Sequence, residues 1–174
     1  MLDLFSGLGG ASQAMKQRGW NVITVDIEPR FEPTHVMDVK DYKHNGDGID
    51  LLWASPPCIE FSKDCMPKSW HRTAQPDTAL LEHTVRIINE VKPRYWIIEN
   101  VRGAVKHFKP IIGSYKKKVG SRYLWGEFPI FWAKPEYGKW RLPPSENRPA
   151  LRSKIPYSLS LTLAVTIERE LGVL

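Results

Sequence analysis

Cysteine is nearly absent from this chain of 174 residues: only Cys58 and Cys65 occur, enough for one disulfide at most. That excludes a disulfide-stapled secreted scaffold. No apolar run approaches the roughly 20 residues that span a bilayer, which excludes a helical membrane protein. The opening residues Met1-Leu2-Asp3-Leu4-Phe5 carry no basic stretch followed by an apolar one, so they do not read as a signal peptide. The expected setting is reduced, intracellular and cytoplasmic. Internal repeats and low-complexity tracts are missing too. No Gly-Lys-Ser or Gly-Lys-Thr follows the first glycines, which excludes a P-loop.

What is there reads as one globular domain. Hydrophobic residues make up 42% and charged residues 25%, a balance that builds a core and keeps it soluble. The net charge of +6 is unevenly placed. Residues 1–101 hold 11 Lys+Arg against 14 Asp+Glu, whereas residues 102–174 hold 14 against 5. A basic second half points to a polyanionic partner, nucleic acid first; the alternative is a merely solvated basic surface.

The first half alternates strands and helices. Residues 2–5 are a short apolar run that stops at Ser6-Gly7-Leu8-Gly9-Gly10. A helical pattern follows over 11–18 and ends at Gly19. Residues 21–27 read as a strand, 36–39 as a third, and 50–54 as a buried strand ended by Ser55-Pro56-Pro57. Leu81, Val85, Ile88 and Val91 predict a helix over 78–91, and residues 95–98 the next strand. The expected fold is α/β, a mostly parallel open sheet with helices on both faces. Ligands of such sheets bind at the carboxyl ends of the strands. In the second half, Lys116-Lys117-Lys118 reads as an exposed basic run. Residues 122–128 and 130–132 read as a strand pair broken at Gly126 and Pro129. Residues 140–149 read as a loop and 156–171 as a closing helix.

Three elements carry chemistry. Gly7, Gly9 and Gly10, between a strand and a helix, let the backbone approach a ligand, and Asp26 ends the next strand, where a carboxylate can bind ribose hydroxyls. The pair fits a nucleoside-containing cofactor without saying which. Ser55-Pro56-Pro57-Cys58 puts a cysteine at the ligand edge on a backbone stiffened by two prolines. A nucleophile and a small buried hydrophobe are both open readings of Cys58. Glu99-Asn100 brings a carboxyl to the same edge, either desolvated for acid chemistry or a plain strand-end group.

Together these elements resemble the carbon-5 cytosine-specific DNA methyltransferase family. Asp3-Leu4-Phe5-Ser6-Gly7-Leu8-Gly9-Gly10, Ser55-Pro56-Pro57-Cys58 with Phe61-Ser62, and Glu99-Asn100-Val101 carry the resemblance, in the family's order and with similar spacing. It implies a Rossmann-like, S-adenosylmethionine-dependent methyltransferase fold acting on DNA, with RNA as a variant. It implies Asp3, Phe5, Gly7, Gly9 and Gly10 at the cofactor, Asp26 on its ribose, Ile27 against the adenine and Asp38 at the adenine amino group. Ser153, in a stretch resembling the family's closing segment, would reach the methionine end. Cys58 would be the nucleophile, Glu99 would hold the cytosine edge and Arg122 would help orient it. No metal is implied: Cys58, Cys65 and His71 fit no common zinc spacing.

Two departures stand out. Ile59-Glu60 replaces the glutamine that usually follows the family's cysteine. The family also inserts a large recognition region before its closing segment, whereas residues 123–152 leave room only for a reduced remnant. Selectivity is then expected to be low, to come from a partner subunit, or to rest on Lys116, Lys117, Lys118, Lys134, Lys139, Arg141, Arg148 and Arg152. Trp125, Phe128, Phe131, Trp132, Tyr137 and Trp140 interleave with these charges, either as core or as stacking platforms for bases. Two further classes compete: a non-catalytic subunit of a methyltransferase complex, and a nicotinamide-dependent oxidoreductase. The retained Cys58 and Glu99 count against the first. The missing third glycine of a dinucleotide loop, where Ser12 stands, counts against the second.

Overall fold

Side chains alternate across the pleat, and here that alternation divides two apolar layers. The computed structural model describes residues 1–46, 48–63, 76–134 and 148–174. Its strands are β1 (Leu2–Leu4), β2 (Ile23–Asp26), β3 (His35–Val36), β4 (Leu51–Ala54), β5 (Tyr95–Val101), β6 (Lys117–Val119) and β7 (Arg122–Glu127). They form one sheet in the order β3-β2-β1-β4-β5-β7-β6. Strands β1 to β5 are parallel, β7 is antiparallel to β5, and β6 is antiparallel to β7. The chain leaves β1 in one direction to β2 and in the other to β4, so a topological switch point opens at the ends of β1 and β4.

The helices are α1 (Gln13–Gln17), α2 (Ile59–Lys63), α3 (Ala79–Val91), α4 (Val105–Ile112), α5 (Arg148–Ser153) and α6 (Tyr157–Leu171). On one face, Leu2, Leu4, Leu52, Ala54, Ile98, Tyr123 and Trp125 pack with Leu81 and Ile88 of α3 and Phe108 of α4. On the other, Leu51, Trp53, Ile97 and Leu124 pack with Ala14 and Met15 of α1 and Leu159, Leu163 and Ile167 of α6. Helix α1 is tied to α6 by a buried hydroxyl: Ser160 Oγ donates to Ala11 O at 2.6 Å and accepts from Ala14 N at 3.1 Å. Glu168 of α6 adds a second tie, taking a two-pronged Arg18 guanidinium and the indole N–H of Trp20.

Several expectations need correction. β5 runs on to Val101, so Glu99 and Asn100 lie within the strand and not after it, because β7 keeps pairing as far as Val101↔Arg122. Of residues 36–39 only Val36 is in a strand, as the second residue of β3. Asp38 Oδ1 captures the amide of Lys40 at 2.9 Å and starts a 3-10 turn at Val39–Asp41. Residues 130–132 are not a strand; β7 pairs instead with β6, whose Lys117 and Lys118 come from the expected basic run. Gly126 does not break β7: a Cβ there would sit 2.0 Å from Trp96 O, so glycine is what lets β7 lie against β5. Arg148 and Pro149, read as loop, open α5.

Gly10 lies hard against the segment that precedes α6. A Cβ on it would meet Ile155 O at 2.6 Å and Ile155 N at 2.7 Å. Gly10→Ala must push the segment before α6 away, at a cost of about 1–3 kcal/mol; its thermal unfolding midpoint falls well below that of the wild type.

Candidate active site

The chemistry gathers where β1, β2, β4 and β5 end. After β1 the chain turns sharply, with Phe5 at φ 57°, Gly7 at 48° and Gly9 at 66°. A left-handed aromatic residue is a strained choice, and such strain marks functional turns. Asp26 holds the turn: its Oδ2 accepts from Gly7 N at 2.7 Å and its Oδ1 from Glu28 N at 2.9 Å. Each carboxylate oxygen keeps a second lone pair. Beside it, Ile27 is 63% exposed, which is unusual for isoleucine and leaves an apolar face at the strand end.

The remaining expected cofactor residues differ in their placement. Gly7 borders open space. Gly10 instead packs on Ile155. Asp38 is half-exposed, with one oxygen occupied by Lys40 N. Ser153 is exposed on α5 and donates to Ala150 O at 3.0 Å. Asp3 is buried under the turn, bonded to the Ser12 hydroxyl, with Oδ2 lacking a hydrogen-bond partner. It underpins the turn from below.

Cys58, Glu99 and Arg122 come together from three elements. Cys58 follows Pro56 and Pro57 and begins α2, its carbonyl accepting from Ser62 N at 2.8 Å. Asn100, fully buried, donates from Nδ2 to Pro56 O at 3.0 Å and so fixes the loop that carries the cysteine. Glu99 shares the α1/α6 face of the sheet with Ser55 and Arg122, as their alternation with Trp53, Ile97 and Leu124 requires. Arg122 Nε stands 3.7 Å from Glu99 Oε1, and Arg122 Nη2 donates to Lys154 O at 3.0 Å. The Ser55 hydroxyl hydrogen-bonds Glu99 and accepts the Trp53 indole N–H at 2.8 Å.

Burial pushes the Glu99 carboxyl up, against the pull of Arg122 and the Ser55 hydroxyl. Burial also pushes the Cys58 thiol up, and the Glu99 charge adds to this; the Ser62 hydrogen bond and Arg122 work the other way. The two groups are therefore coupled: a proton on Glu99 removes one of the charges that disfavour a thiolate at Cys58. The departure at Glu60 also has a local use, since its Oε2 accepts from Asp77 N at 3.1 Å and ties α2 to the chain before α3.

Sequence reasoning missed Trp53 and the role of Ser55. The signal was a tryptophan in a fully buried strand, whose N–H needs a partner, with a serine two residues on and thus on the same face. Trp125, Phe128 and Phe131 are core, whereas Trp132 is 86% exposed. Cys65, His71, Tyr137, Lys139, Trp140 and Arg141 lie outside the described residues, as does the Arg148 side chain. Among the described residues no cluster of His, Cys, Asp or Glu could hold a metal, and no helix is long and apolar enough to cross a membrane.

Sheet order and switch point define a Rossmann-like α/β fold. A "putative DNA modification methyltransferase" encoded within a prophage of E. coli has a similar structure, with TM-score 0.51 and 24% identity over 72% of this chain and 45% of that one. Residues 1–117 match the family model of the C-5 cytosine-specific DNA methylases; the chain belongs to that family. The frog virus 3 (isolate Goorha) protein named "Probable DNA (cytosine-5)-methyltransferase" is 32% identical over 115 residues, 58% of this chain and 52% of the viral one. Type II methyltransferase M.XorII of Xanthomonas oryzae pv. oryzae is 31% identical over 125 residues, 59% and 28% of the two chains. M.NgoMIV of Neisseria gonorrhoeae is 28% identical over 169 residues, 88% of this chain and 52% of its own. The chain thus spans only about half, or less, of these relatives.

The buried Asp3 gives a test of the turn's electrostatics. Desolvation pushes its carboxyl up to about 7 from 3.8, the proximity of Asp26 adding to this and Ser12 and Lys16 opposing it. A carboxyl raised on folding favours the folded state at low pH and loses that advantage as pH climbs from the unfolded value through the folded one. Asp3→Asn, neutral throughout, therefore gains thermal stability relative to wild type between pH 4 and pH 8, as calorimetric scans across that range will read.

Proposed function

We propose that this chain transfers a methyl group from S-adenosylmethionine to carbon-5 of cytosine in DNA, through a covalent adduct on Cys58. The observation that carries this reading is the meeting of Cys58 with a buried Glu99–Arg122 pair beside the strained turn of β1. The donor set suits a nucleoside-bearing cofactor. Ile27 and Phe5 offer apolar faces, Asp26 retains acceptor sites for ribose hydroxyls, and Gly7 leaves the turn open to close approach. Asp38 follows β3, with one oxygen bonded to Lys40 N and the other 4.0 Å from Lys40 Nζ. Ser153 is a weaker assignment, because its hydroxyl is already engaged by Ala150.

When bound, the cofactor supplies an electrophilic methyl group on a sulfonium. The protein's task is to make carbon-5 nucleophilic. The Cys58 thiolate adds to carbon-6 of the ring, and a protonated Glu99 donates to ring nitrogen-3, where negative charge collects. Arg122 holds Glu99 in place and offsets charge when the carboxyl ionises. The carbon-5 proton then leaves to a base, and the thiolate departs as the carbon-5–carbon-6 double bond re-forms. The target base must leave the stack to reach this edge.

Between β7 and α5 there is room for only a small recognition element, so base-edge contacts are few. Arg102, Lys118 and Arg152, exposed near the catalytic edge, supply sequence-independent phosphate contacts. Lys116 and Lys117 are less available than their sequence suggests: Lys116 Nζ donates to Phe128 O at 2.6 Å, and Lys117 Nζ lies 5.3 Å from the Trp132 ring centroid.

DNA carrying 5-fluorocytosine traps the adduct, since fluorine cannot leave as a proton does. Wild type and Cys65→Ser form a denaturation-resistant complex and Cys58→Ser forms none; the reverse pattern refutes the assignment. In calorimetry, Asp26→Ala weakens S-adenosylmethionine by about tenfold or more, the scale of a lost charged hydrogen bond. Binding of a nicotinamide dinucleotide in its place favours the oxidoreductase reading. On random DNA the methylated sites share a context of one or two bases, and affinity falls steeply with salt. A sharp four-base consensus would reveal recognition residues outside those named.

A further inference from the structure

The Glu99 carboxyl has Arg122 at 3.7 Å in a loose ion pair and Ser55 beside it, and Ser55 has its own support. Arg122 can only donate. Ser55 has one proton and two lone pairs, and the buried Trp53 N–H, which can only donate, occupies one of those lone pairs at 2.8 Å. Ser55 continues β4 in register beside Glu99, since Ala54 pairs with Ile98, so the hydroxyl proton that Trp53 leaves free is available to the Glu99 carboxyl. Trp53 is fully buried in β4, the central strand of the sheet, so its indole N–H is held in place by the packing around it.

We propose that Ser55 is a positioning residue for Glu99, held by Trp53, and that the Trp53–Ser55 pair sets the orientation and proton affinity of the Glu99 carboxyl. With Ser55 donating and Arg122, which cannot accept, standing beside it in a loose ion pair, a proton carried by Glu99 finds its acceptor in a ligand beside Cys58. A nucleobase ring nitrogen is such an acceptor. The proposal deepens the methyl-transfer reading and rests on it for the identity of that acceptor, but the relay itself is a property of the folded chain.

The test is an infrared pH titration of the protein, following the C=O stretch of protonated carboxyl groups, with Glu99→Gln used to assign the Glu99 band. Removing a donor to the ionised form raises the midpoint: Ser55→Ala shifts Glu99 up by about one unit. Ser55→Thr, which keeps the hydroxyl, holds the wild-type midpoint. Trp53→Phe keeps most of the ring and loses the N–H, and shifts the midpoint up by less than Ser55→Ala. An unchanged midpoint in folded Ser55→Ala overturns the proposal, as does an equal shift in Ser55→Thr, which would point to packing. Should Ser55→Ala not fold, Trp53→Phe decides by the same criterion. In parallel, loss of the orienting hydroxyl slows 5-fluorocytosine adduct formation in Ser55→Ala even at a pH where Glu99 is protonated in both proteins, and Ser55→Thr restores the rate. If the wild type forms no adduct at all, the methyl-transfer reading fails while the infrared result still judges the relay.

Discussion

The contact between Gly10 and the backbone of Ile155 is the constraint on which the rest of the structure depends. The two residues lie at opposite ends of the chain, and only the absence of a side chain at position 10 lets them meet. That meeting seats α6 beside α1, where Ser160 and Glu168 complete the hydrogen bonding. It also brings Lys154 to the sheet edge, where its carbonyl takes the Arg122 guanidinium. The same segment therefore borders the glycine turn and orients the partner of Glu99.

Electrostatics at the edge follow from burial. Glu99 and Arg122 are both largely withdrawn from water, and neither would be tolerated there alone. Arg122 Nε makes no hydrogen bond, and its distance to Glu99 is that of a loose ion pair. The pairing lowers the cost of each charge without locking Glu99 into the ionised form. A carboxyl poised in this way can exchange a proton with a ligand, and its charge state feeds back on Cys58. Asn100 serves the geometry from the opposite face of the sheet, holding the Pro56 carbonyl and hence the cysteine loop.

The candidate site was legible in outline because its residues stand at or near strand ends, which are marked by glycine, proline and a change from apolar to polar. Asp26, Cys58, Glu99 and Arg122 were found that way or through the family resemblance. Asp3 and Gly10 belong to the same motif, yet one supports the turn from beneath and the other admits Ile155; a motif lists residues without saying which face a ligand. The second half was harder to read. Lys117 and Lys118 look like a solvated charge run, but their alternating burial beside Val119 makes an edge strand, and β7 gives that strand its partner.

The amino-acid order alone determined the alternation of strands and helices, the apolar stripes, the breaks at Gly19 and Pro93, and which candidate groups could carry chemistry. Those are local properties: periodicity, backbone freedom and side-chain chemistry act over a few residues. Tertiary structure alone decided that β5 extends through Glu99 to Val101, that Gly126 lies inside a strand, and that Arg122 reaches both Glu99 and Lys154. It also decided that a tryptophan inside β4 would direct the hydroxyl of Ser55. Each of these depends on a partner distant in the chain, and hydrogen bonding and burial depend on where that partner comes to lie.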